Sequence, residues 1–64
     1  MDDEKFNMSL RKFLKQVGVT SQHAIEDLVR EQKLGGGGTL KVKMTLVAEG
    51  QPLEHVVEGE IELG

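Results

Sequence analysis

The sequence predicts a small α+β domain, two N-terminal helices packed on a C-terminal two-stranded antiparallel hairpin in the order α-α-β-β. Three observations carry this. Apolar residues recur at helical spacing up to about residue 34, four consecutive glycines follow at Gly35–Gly38, and beyond them the apolar period changes to two.

Phe6, Leu10, Phe13, Leu14 and Val17 form one stripe of a helix, with Asp2, Asp3 and Glu4 at its positive end and Arg11, Lys12 and Lys15 nearer its negative end. Gly18 stands where a left-handed residue after a helix is wanted. A second helix is read from Thr20 or Ser21 as N-cap, Val19 as a hydrophobic staple, and Ala24, Ile25, Leu28 and Val29 as its inward face, ending at Lys33-Leu34-Gly35. Gly35–Gly38 reads as a flexible linker between the helical half and the hairpin of one domain spanning residues 1–64. A phosphate-cradling loop would run from strand into helix and bring a Lys-Ser or Lys-Thr pair; here the order is helix, glycines, strand.

Leu40, Val42, Met44 and Leu46 alternate with Lys41, Lys43 and Thr45. After the turn signal Glu49-Gly50 and Pro52, the residues Leu53, His55, Val57, Gly59, Ile61 and Leu63 alternate with Glu54, Val56, Glu58, Glu60 and Glu62. A two-residue loop at Glu49-Gly50 pairs Leu46 with Leu53, Met44 with His55 and Val42 with Val57, and sets Lys41 opposite Glu58. Gly59 marks a bulge or a close approach. The expected core is Phe6, Leu10, Phe13, Leu14, Val17, Ile25, Leu28, Val29, Leu40, Val42, Met44, Leu46, Leu53, Val57 and Ile61.

Composition narrows the function classes. The chain has 64 residues and no cysteine, which removes disulfides, thiolate metal sites and cysteine nucleophiles together. So short a chain buries too little to enclose a cofactor. No apolar run approaches the roughly 20 residues that cross a bilayer, and the acidic start Met1-Asp2-Asp3-Glu4 is unlike a secretory signal, so the expected location is the cytoplasm. The net charge of −3 divides into a helical half with six acids and six bases and a segment, residues 39–64, with five Glu and two Lys. Neither half is basic, which disfavours nucleic acid and anionic lipid.

The chemistry-bearing residues do not assemble a catalytic constellation. His23 and His55 lie on different elements, and no set of three or four ligands converges, so no metal or cofactor is expected. Phe13–Val29 resembles a helix-turn-helix in outline, but Leu14 fills a position normally kept small. The apolar set Ile25, Leu28 and Val29 is slipped by one residue from the motif, and the second helix exposes more acid than base. Glu54, Glu58, Glu60 and Glu62 share one strand face and form the candidate partner surface. A strand carrying basic side chains fits beside such an edge, and two hairpins joining edge to edge would give a weak homodimer in place of a monomer. The expected function is therefore a non-catalytic module that binds a protein through the acidic hairpin or the helix pair. The alternative is a nucleic-acid-associated regulator using the helix pair.

The run from Lys5 to Lys15, with Val17-Gly18-Val19-Thr20-Ser21-Gln22 and the tail His55-Val56-Val57-Glu58-Gly59-Glu60-Ile61, resembles a family of short, uncharacterised, mainly proteobacterial proteins defined only as a domain of unknown function. The likeness covers nearly the whole chain. It departs from the family pattern at His23-Ala24, where a charged pair is usual, and at Gly35–Gly38, where relatives carry a more polar connection, so it assigns no role to His23 or to the glycines. It implies one compact bacterial domain and brings no catalytic residue.

Overall fold

The computed structural model describes all 64 residues, which form two units, Met1–Lys33 and Leu34–Gly64. The first is a single helix, α1, spanning Asp3–Glu31. The second is an antiparallel hairpin of β1, Thr39–Val47, and β2, Glu54–Glu62.

The expected pair of N-terminal helices is thus one helix of 29 residues, and the order is α-β-β. Three residues that resemble a helix boundary are absorbed into it. Gly18 has no positive φ. The Thr20 hydroxyl donates to the Gln16 carbonyl at 2.8 Å, bonding back along the helix where an N-cap would accept from amides ahead. Ser21 is a half-buried helical residue. Energetics favour this outcome. A glycine inside a helix costs about 1 kcal/mol relative to alanine, whereas ending one helix and starting another leaves up to four carbonyls and four amides to be satisfied afresh. The apolar stripe also keeps phase across Gly18: Val17, Ser21, Ile25 and Val29, the half-buried residues of α1, follow one another at steps of four.

Both helix ends are defined by local bonds. The Asp2 carboxylate accepts from the amides of Glu4 at 3.0 Å and Lys5 at 3.2 Å, while Asp3 and Glu4 place negative charge in the first turn. At the other end Gln32 donates its amide to Leu28, and Lys33, at φ 55°, closes on the Arg30 carbonyl at 3.3 Å. Lysine therefore occupies the left-handed position after the helix, at the first residue of the Lys33-Leu34-Gly35 step where the sequence places the helix end. An ion pair between Asp27 and Arg30, three residues apart, lies on the exposed surface.

In the hairpin, Leu40 pairs with Ile61, Val42 with Gly59, Met44 with Val57 and Leu46 with His55. The expected register is corrected by two residues. Gln51 does donate to Ala48 at 3.1 Å, closing a turn with Gly50 at φ 71°, but Leu53 then donates to Gln51 at 2.9 Å in a second, tighter turn around Pro52. Proline has no amide to give a ladder, so Gln51 and Pro52 stay in the loop and β2 begins later. Because the slip is two, every side chain keeps its face. Gly59 pairs regularly with Val42 and makes no bulge. The same register runs past the strand ends: the Leu63 amide donates to Gly38 at 2.8 Å, and a Cβ on Gly64 would come within 2.8 Å of the Gly37 Cα.

No residue of either unit is buried. Of the expected core, Val17, Ile25, Val29, Leu40, Val42, Leu46 and Ile61 are half-buried, and Phe6, Leu10, Phe13, Leu14, Leu28, Met44, Leu53 and Val57 are exposed. One helix or one two-stranded sheet is a single layer, and a layer cannot bury its own apolar face.

Replacing Gly18 by alanine tests helix continuity. An added Cβ meets nothing within 4 Å, so Gly18→Ala should stabilise α1 by about 1 kcal/mol. Thermal unfolding followed by circular dichroism at the helical band reads this. A lowered midpoint would restore the two-helix arrangement with glycine as a stop.

Candidate functional site

The hairpin register separates two faces. One carries Leu40, Val42, Met44 and Leu46 of β1 with His55, Val57, Gly59 and Ile61 of β2; the other carries Thr39, Lys41, Lys43, Thr45 and Val47 with Glu54, Val56, Glu58, Glu60 and Glu62. The four glutamates singled out from sequence are thus brought onto one face, and all are exposed.

They are not equivalent. Lys41 stands opposite Glu60 and Lys43 opposite Glu58, whereas Glu62 faces Thr39 and Glu54 faces Val47. The two middle glutamates have a cation across the ladder and the two outer ones have none. Such opposed charges contribute about 0.2–1 kcal/mol each. Between them lies an open depression of about 450 Å³, lined by Lys41, Val42, Lys43, Glu58, Gly59 and Glu60. Its floor is the backbone of the Val42–Gly59 pair, where glycine contributes no side chain on the reverse face. It is ringed by two lysines and two glutamates.

Both strands keep one free edge, since the sheet has only two. Along β2 the free edge is flanked only by acids among its charged residues, and along β1 only by lysines. The pairing of Lys43 with Glu58 and the identity of these edges escape a reading based on alternation alone. The missing signal is Pro52, which sets the offset between the strands.

Neither histidine belongs to this strand face. His23 is exposed on α1, and His55 lies on the apolar face of β2 opposite Leu46. No group of three or more His, Cys, Asp or Glu is arranged to hold a metal ion. The helix-turn-helix outline loses its turn, because Phe13–Val29 lies inside α1. No helix of the protein is long and apolar enough to cross a membrane.

Exchanging charges across the ladder tests the register. Lys43→Glu alone opposes Glu58 with a like charge and should lower hairpin stability by about 0.2–1 kcal/mol, and adding Glu58→Lys should recover most of that loss. Amide hydrogen exchange within β1 and β2 would measure both. A failure of the second substitution to compensate would place the two side chains apart.

Comparison with curated proteins and with solved structures returns no match. A family model matches residues 1–64, and the chain accordingly belongs to the Family of unknown function (DUF6494).

Proposed function

We propose that this protein is a small non-catalytic interaction module that binds a protein partner through the acidic edge of β2. The observation that carries the reading is the pairing within the hairpin itself. β1, with lysines at alternate positions, already lies against β2 with Lys41 at Glu60 and Lys43 at Glu58. The opposite edge of β2 offers the same backbone and the same acids, with no strand upon it.

A partner strand in extended conformation would gain main-chain hydrogen bonds along that edge and place lysine or arginine beside Glu54, Glu58, Glu60 and Glu62. Glu54 and Glu62 contribute most to selection, since neither has a lysine across the ladder. Bases set at every second position fit this row; bases clustered on adjacent residues would put half of them on the apolar face. We place this module in a bacterial cytoplasm, consistent with a cysteine-free chain and with the proteobacterial proteins it resembles.

The test is a titration of the intact chain with a short peptide of alternating valine and lysine, read by chemical shift changes along β2. Weak binding is expected, lost in 0.5 M salt by roughly tenfold or more as exposed charges are screened. Glu54→Lys combined with Glu62→Lys should abolish it, whereas a peptide of the same composition with its lysines contiguous should bind less. Equal binding of the two peptides would reduce the effect to bulk charge and remove the edge from the interpretation.

A further inference from the structure

The two free edges of the hairpin differ in what they allow a second copy of the chain to do. For β2 paired antiparallel with itself, every register of substantial overlap sets glutamates against glutamates. A two-fold axis at Glu58 opposes Glu58 to itself and Glu54 to Glu62, an axis at Val57 opposes Glu54 to Glu60, and an axis at Gly59 opposes Glu58 to Glu60. Like charges directly opposite destabilise a pair, so β2 is protected against its own copy.

β1 has one long register free of that penalty. An axis at Lys43 opposes the two Lys43 side chains, and an axis at Val42 opposes Lys41 to Lys43. An axis at Met44 sets Lys43 opposite Thr45, Lys41 opposite Val47, Val42 opposite Leu46, and Met44 opposite its own copy. These pairings keep Lys41, Lys43, Thr45 and Val47 on one face and Val42, Met44 and Leu46 on the other.

We propose that the free edge of β1 is a self-association edge, two copies pairing β1 with β1 about a two-fold axis at Met44 into a four-stranded sheet ordered β2-β1-β1-β2. The apolar rows of the two hairpins then join. Val42, with only Gly59 beside it within the chain, gains Leu46 of the second copy, and Met44, 44% exposed, gains its counterpart. Three or more strands are what an isolated hairpin lacks for independent stability. Both acidic β2 edges face outward, so this pairing leaves the proposed partner edge free and is independent of whether it is used.

The competing arrangement sets β1 of one copy on β2 of the next. Its lysines meet glutamates, but it is head-to-tail and does not close. Each added copy brings a net charge of −3, within about two strand spacings, or ~10 Å, of the last, which is comparable with the screening length of ~8 Å at physiological salt. Repulsion therefore accumulates with growth, whereas the two-fold pair closes at two copies.

Sedimentation of the full-length chain across a hundredfold dilution tests this. The expected result is a reversible monomer–dimer equilibrium. Thr45→Lys places lysine opposite Lys43 twice across the axis and should weaken dimerisation by about tenfold. Thr45→Glu should strengthen it by a similar factor, and Glu62→Gln on β2 should leave it unchanged. Thr45 faces Val56 within the chain, so neither charge meets a like charge directly across its own hairpin. A second readout needs no change of charge: Met44→Cys should cross-link to itself on mild oxidation and Leu46→Cys should not. A concentration-independent monomer, growth beyond the dimer, the two Thr45 variants shifting association in the same direction, or cross-linking at Leu46→Cys in preference to Met44→Cys would overturn the proposal.

Discussion

The antiparallel register of β1 and β2 is the constraint from which the surface chemistry of this protein follows. Once Leu40 stands against Ile61 and Met44 against Val57, the ladder fixes which glutamates meet a lysine, which meet threonine or valine, and which row of side chains is apolar. None of these properties belongs to a residue alone. A slip of one would exchange the two faces; a slip of two keeps the faces and reassigns every charge pair. The loop from Ala48 to Leu53 enforces the choice, since Pro52 cannot enter the ladder and Gly50 holds a positive φ that a side chain would strain.

The helix obeys a different economy. Its interior tolerates Gly18, Thr20 and Ser21 because the alternative, two new helix ends, strands more backbone groups than those residues destabilise. Asp2 caps the start, and Lys33 accepts an uncommon left-handed conformation to close the end. The result is a helix of about 44 Å with an apolar stripe along its length. In both units the local backbone bonding is satisfied before any side chain is fully sheltered, so order and burial are separate achievements in this protein.

This separation explains what could be read from the residues. The alternation of Leu40, Val42, Met44 and Leu46 is legible because a half-covered strand needs nothing beyond itself to show its period. The acidic face was legible for the same reason. Gly18-Val19-Thr20-Ser21 reads as a helix boundary because those residue types are common at caps, whereas the phase from Val17 through Ile25 to Val29 is that of the continuous helix the structure shows. The one-residue slip that disqualified the helix-turn-helix outline was the trace of an unbroken helix. The pairing of Lys43 with Glu58 was not legible from alternation, since it depends on how many residues Pro52 removes from the ladder. The residues expected in the core lie half-buried or exposed for a reason of dimension: periodicity identifies the face of an element but not whether a second layer lies upon it.

The division of the chain at Leu34 has a kinetic meaning. All ordering contacts of α1 lie within four residues along the chain, and the hairpin closes from a short loop outward. Elements of this kind form in about 0.1–1 μs for a helix and 1–10 μs for a hairpin. During synthesis, at about 5–20 residues per second, α1 is able to reach equilibrium before Thr39 has been added. A second layer supplied by another molecule, as in the pairings proposed above, would therefore be the slow step, at a rate set by concentration.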